Sequence, residues 1–482
     1  MSCSRDYAFL GARGRTSGED EPTAGTATEP DAATGTTSAG APGDLGGVAQ
    51  GGASDDAVAS GDANATSGGE GGAGASGGEA GASSGGSAPL TGQVAVGGHH
   101  LCLIVEQPSY GRIVYCRGDN SSGQLGDGSG RNQPDPEFGW RAVVTAQDLP
   151  LVGVEAIGAG EQHTCALLAN EVHCWGLNKH KEVDPTVDPT LAEGMVAAAT
   201  RVDLASPGAP LVVGGYNSCA GTPAYCWGDN RRHQIRSSAD AAVGLAPRQL
   251  EPTPTVVALG TFHSCMIRDQ DTLCWGADDF RQCATPLDRV CDDLGACDSA
   301  PVLVPGLSGA RGIALGTHHT CAIDRAGGVQ CWGSNSNGEL GSAPPEGCKM
   351  GQSPAPECVL PPTTVAGLTD VRMLALGQAH TCAVAGPSGA AYCWGSNNNG
   401  QLGRGSNVTA SEVPAPVRTA VRPPSALPPT PLEGVVSLVA RGDYTCATTD
   451  AGATLCWGRL EALEGEIVQS SSIAVPLSLD GL

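Results

Sequence analysis

Twenty cysteines stand in this chain of 482 residues, and fourteen recur as seven close pairs. The pairs are Cys102 with Cys116, Cys165 with Cys174, Cys219 with Cys226, Cys265 with Cys274, Cys321 with Cys331, Cys382 with Cys393 and Cys446 with Cys456. Paired thiols can form a disulfide, ligate a metal as thiolates, or fill a core as small apolar groups. The members are 7 to 14 residues apart, without the C-x2-4-C spacing of a zinc knuckle, so no metal is assigned. Each pair flanks a turn, which places its members on adjacent antiparallel strands. Facing residues in non-hydrogen-bonded positions there sit roughly 4.5–5.5 Å apart at Cα, a gap that a disulfide spans. Disulfides are therefore predicted for all seven pairs, each contributing about 2–3 kcal/mol before strain. Outside the recurring pairs, Cys348 and Cys358 bracket a Pro-rich insertion and are expected to bond. Of Cys283, Cys291 and Cys297, the simplest pairing is Cys291 with Cys297, leaving Cys283 free or joined to Cys3.

Histidines recur at one position, two residues before the first cysteine of a pair: His100, His163, His263, His319 and His380. Strand alternation puts each on the same face as its cysteine. A ring of metal ligands is one reading, and a buried imidazole bonding the backbone of a neighbouring unit is the other. Asn217 and Tyr444 take the position in the remaining two copies, which favours hydrogen bonding over ligation. Tryptophan follows the second cysteine in six copies and Arg117 in the first; these tryptophans are expected to pack between units. The acidic run Asp288-Arg289-Val290-Cys291-Asp292-Asp293, with Asp298, lacks the D-x-D-x-D-G spacing of a calcium loop and reads as a solvated loop. No Ser-His-Asp order, paired-carboxylate motif, Walker loop or dinucleotide fingerprint stands out. No catalytic residue, cofactor or metal ligand is therefore assigned.

The elements that hold these residues emerge when the cysteines are aligned. The clearest unit reads Gly316-Thr317-His318-His319-Thr320-Cys321-Ala322-Ile323, then Val329-Gln330-Cys331-Trp332-Gly333-Ser334-Asn335, and closes with Gly338-Glu339-Leu340-Gly341. The next has His380-Thr381-Cys382-Ala383-Val384, Tyr392-Cys393-Trp394-Gly395-Ser396-Asn397 and Gly400-Gln401-Leu402-Gly403. Seven copies follow one another at spacings of 46 to 64 residues. Short β-rich runs bounded by Gly and Pro indicate an all-β fold, and stacking around an axis buries faces that a single unit leaves open.

This pattern resembles the regulator-of-chromosome-condensation repeat family over residues 93–480. The resemblance implies a seven-bladed β-propeller of four-stranded antiparallel blades. It also implies a range of roles, from nucleotide exchange on small GTPases to chromatin binding and secreted bacterial inhibitors. By its sequence pattern the first copy, beginning at Gln93-Val94-Ala95-Val96, lacks its own outermost strand, and the tail Ile473-Ala474-Val475-Pro476-Leu477-Ser478-Leu479 has the matching pattern. Residues 473–480 are therefore expected to complete the blade begun at residue 93. Insertions at 127–142, 179–200, 283–300, 342–360 and 404–430 are expected to follow fourth strands and to gather on one rim, where binding loops usually sit.

Composition bounds the function. The formal charge is −24; residues 1–92 hold twelve acids and three arginines, leaving −15 on the rest. Such a chain is repelled by nucleic-acid phosphates and by anionic lipid, so neither is expected as a partner. Twenty cysteines suit an oxidising compartment. Residues 17–92, rich in Gly, Ala, Ser, Thr, Asp and Glu, are expected to be a disordered tether behind an N-terminal segment 1–16. A cysteine near the start, a long tether and a Cys-rich domain resemble a bacterial lipoprotein whose apolar signal lies upstream of Met1, with Cys3 as the lipid anchor. The expected function is a monomeric, non-enzymatic, extracytoplasmic scaffold that binds a protein or cell-surface polymer through its variable loops. The alternatives are a polysaccharide-acting enzyme at the channel mouth, which needs converging carboxylates, and a guanine-nucleotide exchange factor.

Overall fold

Residues 93–129, 139–184, 194–235, 245–251, 253–284, 297–346, 359–405, 408–419, 430–459 and 471–477 are described by the computed structural model. Their strands form seven antiparallel sheets of four strands, each sheet a blade of a propeller. The blades span 94–142, 154–202, 211–249, 256–308, 312–364, 371–416 and 435–476, numbered 1 to 7 here. Within a blade the strands pair in chain order, first to fourth. The second strands are buried on both faces, as in His319–Ile323 and His380–Ala385, because each blade is covered by its neighbours on either side. The fourth strands are more open, as in Ala410–Pro416.

The apolar core is divided into seven clusters, one at each seam between blades. At the seam of blades 5 and 6, Cys321 and Cys331 pack with Trp394; at that of blades 6 and 7, Cys382 and Cys393 pack with Trp457. The same trio of two cysteines and the next blade's tryptophan recurs at four other seams. The seam of blades 7 and 1 departs from it. Arg117 holds the tryptophan position of blade 1, and Trp140, a residue outside the repeat pattern, enters the cluster of Cys446 and Cys456 instead. The Arg117 guanidinium lies 5.3 Å from the Trp140 ring centre, within cation–π range. All seven tryptophans of the chain thus serve a seam.

Two expectations are corrected. Blade 1 has its own fourth strand, Arg141–Ala142, paired with Tyr115 and Cys116. The C-terminal strand Ser471–Pro476 pairs with the third strand of blade 7, not with the blade begun at residue 93. Each blade is therefore built from contiguous chain, and the ring closes by packing and hydrogen bonding at the seam of blades 7 and 1; residues 478–482 lie outside the described residues. The stretches 127–142, 179–200, 283–300 and 342–360 lead from a third strand to a fourth rather than following the fourth, and 404–430 contains part of the fourth strand of blade 6. Antiparallel strands reverse direction at each turn. Connections from third to fourth strand therefore leave the blade at the same end as the turns joining first to second.

No helix among the described residues is long and apolar enough to cross a membrane. The N-terminal segment 1–16 with Cys3, the stretch 17–92, and Cys291, Cys348 and Cys358 lie outside the described residues, as does the side chain of Cys297.

Candidate functional site

The paired cysteines face one another in register, Cys265 opposite Cys274 and Cys321 opposite Cys331, for example. All seven recurring pairs are bonded, with Cα atoms 4.0 to 4.1 Å apart. Every one of these cysteines is buried. Cys283 is the free thiol among the described residues.

The recurring histidines are committed to a neighbour. His100 Nε2 lies 2.7 Å from Thr164 Oγ1, His263 Nε2 2.7 Å from Thr320 Oγ1, His319 Nε2 2.9 Å from Thr381 Oγ1 and His380 Nε2 2.8 Å from Thr445 Oγ1. His163 meets Ser218 Oγ at 3.0 Å. The partner is thus a hydroxyl of the next blade, where backbone was expected. Thr320 and Thr381 pass their own protons on to the carbonyls of Gln282 and Glu339 at 3.0 and 2.9 Å. Each hydroxyl therefore accepts from its imidazole, which fixes the neutral tautomer with the proton on Nε2. Burial depresses the five imidazoles to about 3, which keeps them neutral.

The carbonyls that receive these protons belong to the closing turn, and they receive a second donor. Trp332 Nε1 donates to Gln282 O and Trp394 Nε1 to Glu339 O, both at 2.9 Å, and four further tryptophans repeat the bond. The motif glycines follow from this packing. A Cβ on Gly97 or Gly377 would fall 2.1 Å from the histidine Cε1 three residues on. The glycine after tryptophan adopts φ near +100°, as in Gly333 at 103°, where the register of the third and fourth strands shifts.

Tyr444 explains the departure at the closing seam. Blade 1 offers Leu101 where other blades offer a hydroxyl, so an imidazole would have no acceptor there. The Tyr444 hydroxyl instead reaches the carbonyls of Gly97 and His100 at 2.6 and 2.7 Å. Asn217 is shorter, and its buried amide makes no bond.

The central channel is lined by the seven first strands, with residues such as Val96, Ile157, Val213, Leu315 and Leu376. Its cavity is about 180 Å³. Arg441 is the one ionisable residue in the lining and crosses the axis, donating to the Val213 carbonyl at 3.1 Å and meeting Glu161 at 3.5 Å. Among the described lining residues no carboxylates converge, so the geometry that a channel-mouth glycosidase needs is not assembled there.

Two other groupings lie at the rim where the insertions depart. Asp278, Cys283 and Asp298 are buried together, with ligand-type atoms within 4.8 Å of one another. The trio grows from the turn. Asp278 stands where Asn335 does in blade 5 and accepts the Cys283 N–H at 2.7 Å, as Asn335 accepts that of Leu340. Burial, with the Asp278 and Asp298 charges beside it, pushes the Cys283 thiol well up. The second grouping is a row of half-buried rings on blades 3 to 5. Tyr216 and Phe262 have centres 6.3 Å apart, Phe262 and His318 6.3 Å, and Phe280 and His318 4.3 Å. These residues do not recur from repeat to repeat, and sequence periodicity therefore carries no signal for them. The loop residues Asp288, Arg289, Val290, Cys291, Asp292 and Asp293 lie outside the described residues.

The family model described as regulator of chromosome condensation (RCC1) repeat matches residues 326–384 and 388–447, and a second model of the same description matches 154–181, 311–339 and 372–401. Protein pim1 of Schizosaccharomyces pombe is 31% identical over 205 residues, 40% of this chain and 38% of that protein. The chain thus spans less than half the length of that relative. The crystal structure of Prp20p from Saccharomyces cerevisiae, described with its binding properties to Gsp1p and histones, superposes with a TM-score of 0.58 at 22% identity, covering 74% of this chain and 83% of that one. Human WBSCR16 superposes with a TM-score of 0.57 at 19% identity, covering 77% and 95%. Repeats matched by the family models, set in a ring of seven four-stranded blades, lead to one conclusion: the chain belongs to the regulator-of-chromosome-condensation repeat family.

Proposed function

We propose that this chain is a non-enzymatic protein-interaction scaffold that works in an oxidising, extracytoplasmic compartment, tethered there by a lipid on Cys3. One observation carries the reading: the five recurring histidines and the six recurring tryptophans are consumed by blade-to-blade bonds, and every blade is cross-linked by a buried disulfide. A framework so stiffened offers its non-repeating rim residues for binding. Seven disulfides suit an oxidising environment, because cytosolic thiol buffers keep such pairs reduced. The protein-binding Prp20p has the same fold, which supports a protein partner here as well.

The test uses the full-length chain, purified without reductant and immobilised. Proteins from the envelope fraction of its own organism are passed over it, and retained species are identified by mass spectrometry. One or a few proteins held at physiological salt are expected. Failure to retain any protein, or accelerated guanine-nucleotide release from a small GTPase, would replace this reading. Peptide mapping of the native protein checks the compartment, with all seven pairs expected oxidised and a diacylglyceryl thioether expected on Cys3.

A further inference from the structure

We propose that the seam between blades 3 and 4 is the joint at which the ring opens, clasped at the rim by a salt-sensitive ion pair where other seams have a buried latch. The inference is independent of the scaffold reading, because its readout is the opening of the ring and not the capture of a partner.

The missing latch is the first observation. Five seams are joined by an imidazole and a hydroxyl of the next blade, and the seam of blades 7 and 1 by the Tyr444 hydroxyl. At the seam of blades 3 and 4 the other parts of that latch are in place. Gly214 lies against the Asn217 side chain as Gly97 lies against that of His100, and each glycine N–H donates to the carbonyl three residues on at 2.8 Å. Ser264 stands on blade 4 where Thr320 stands on blade 5. Its hydroxyl donates to the Gln234 carbonyl at 2.5 Å, which leaves the oxygen able to accept.

Asn217 does not reach that oxygen. It is 1% exposed, and neither its amide oxygen nor its amide nitrogen has a hydrogen-bond partner among the described residues. The amide nitrogen of Gln234, on the turn that packs against Gly276 of blade 4, is buried without a partner as well. Buried polar groups left unbonded destabilise the closed seam, and opening it lets water reach them. The free energy that a latch would add to closure is therefore withheld at this seam.

The clasp is the second observation. Arg232 of blade 3 meets Asp279 of blade 4 at 2.5 Å, with side chains 27% and 30% exposed. The Arg232 guanidinium also lies 6.0 Å from the ring centre of Phe262 of blade 4, which stands 6.3 Å from that of Tyr216 of blade 3. The other ion pairs between described residues lie within one blade or, for Arg441 with Glu161, cross the channel. A part-exposed ion pair is weakened by salt, whereas a buried bond between a neutral imidazole and a hydroxyl is not. The seam of blades 3 and 4 thus differs from its neighbours in kind as well as in strength.

The recurring tryptophans give each seam its own reporter. Trp275 Nε1 donates across this one to the Gln234 carbonyl at 3.0 Å, and Trp175, Trp227, Trp332, Trp394 and Trp457 make the same bond at five others. Hydrogen–deuterium exchange of these six indole N–H groups is followed by NMR in the full-length chain. It is run at about 0.1 M and about 1 M NaCl, between which the screening length falls from about 10 to about 3 Å. Trp275 is expected to exchange about tenfold faster than the other five, and about threefold faster again in high salt. Asn217→His supplies the imidazole opposite Ser264 and is expected to slow Trp275 by about tenfold. Asp279→Asn is expected to show at low salt the rate that the native chain shows at high salt, and to respond to salt no further. Exchange at Trp275 no faster than at the other five, or an equal salt response at all six, overturns the inference. Exchange in Asn217→His as fast as in the native chain, or faster, overturns the account of the latch. A native rate and a native salt response in Asp279→Asn overturn the clasp.

Discussion

Glu339→Gln is expected to stabilise the protein at alkaline pH and to leave it unchanged in acid. Glu339 stands in the closing turn of blade 5, where blades 1, 3, 4 and 6 carry Gln124, Gln234, Gln282 and Gln401. It is 1% exposed. Its carboxyl accepts the Asn337 N–H at 2.6 Å and the Ser334 hydroxyl at 2.8 Å. Burial outweighs these bonds and pushes the carboxyl from 4.5 up to about 7. The sign follows from proton binding. Below 4.5 the group is protonated in folded and unfolded chains alike and is neutral for stability. Between 4.5 and about 7 the unfolded chain releases the proton while the folded one keeps it, so stability falls with rising pH and stays reduced above 7. At about 1.4 kcal/mol per pH unit, the gap amounts to an upper bound of about 3 kcal/mol. Glutamine carries no such penalty, and its amide can donate to Ser334 as Gln401 does to Ser396. For a ring of this size about 3 kcal/mol corresponds to roughly 4 °C in melting temperature. Differential scanning calorimetry of both proteins at pH 4.5 and 8.5 measures it. A melting difference that is the same at both values, or a variant that melts lower at pH 8.5, would refute the reasoning.

Three further outcomes are expected. The five recurring histidines are held near 3 in the fold and titrate near 6.5 when unfolded, so the stability they confer is present above 6.5 and is lost as pH falls toward 3. His319→Gln should flatten that acid slope in urea titrations, and a slope equal to that of the native chain would count against the neutral-tautomer assignment. At the closing seam, Tyr444→His and Leu101→Thr should each destabilise by about 1–2 kcal/mol, while the pair together regains about 1 kcal/mol by rebuilding the imidazole–hydroxyl bond; strict additivity would show that the bond does not form. Replacing Cys321 and Cys331 by alanine should lower stability by about 2–4 kcal/mol in non-reducing denaturation curves, and a change under 1 kcal/mol would mean that the bond adds little to the packing.

The repeat, the pairing of cysteines within a blade and the all-β class were legible from sequence, because each depends on residues close together along the chain. A pair such as Cys265 and Cys274 is joined by one turn, so spacing alone sets the strands opposite one another. Family resemblance extended this to the number of blades. Spacing sets the period of a repeat and leaves its phase open: the same seven copies are compatible with a blade shared between the two termini or with blades of contiguous chain. Only the pairing of Ser471–Pro476 with the strand before it decided the matter. The partner of each histidine was likewise hidden, since it lies 55 to 65 residues away across a seam. Trp140 and Tyr444 show the same limit from the other side. Each departs from the repeat: Trp140 makes sense beside Arg117, which its own blade folds against it, and Tyr444 beside the Leu101 and Gly97 of blade 1 that closing the ring brings to it. Local order along the chain thus determined the blade; the seams, the channel and the row of rings on the rim were decided by tertiary structure, because they join residues that only the closed ring makes neighbours.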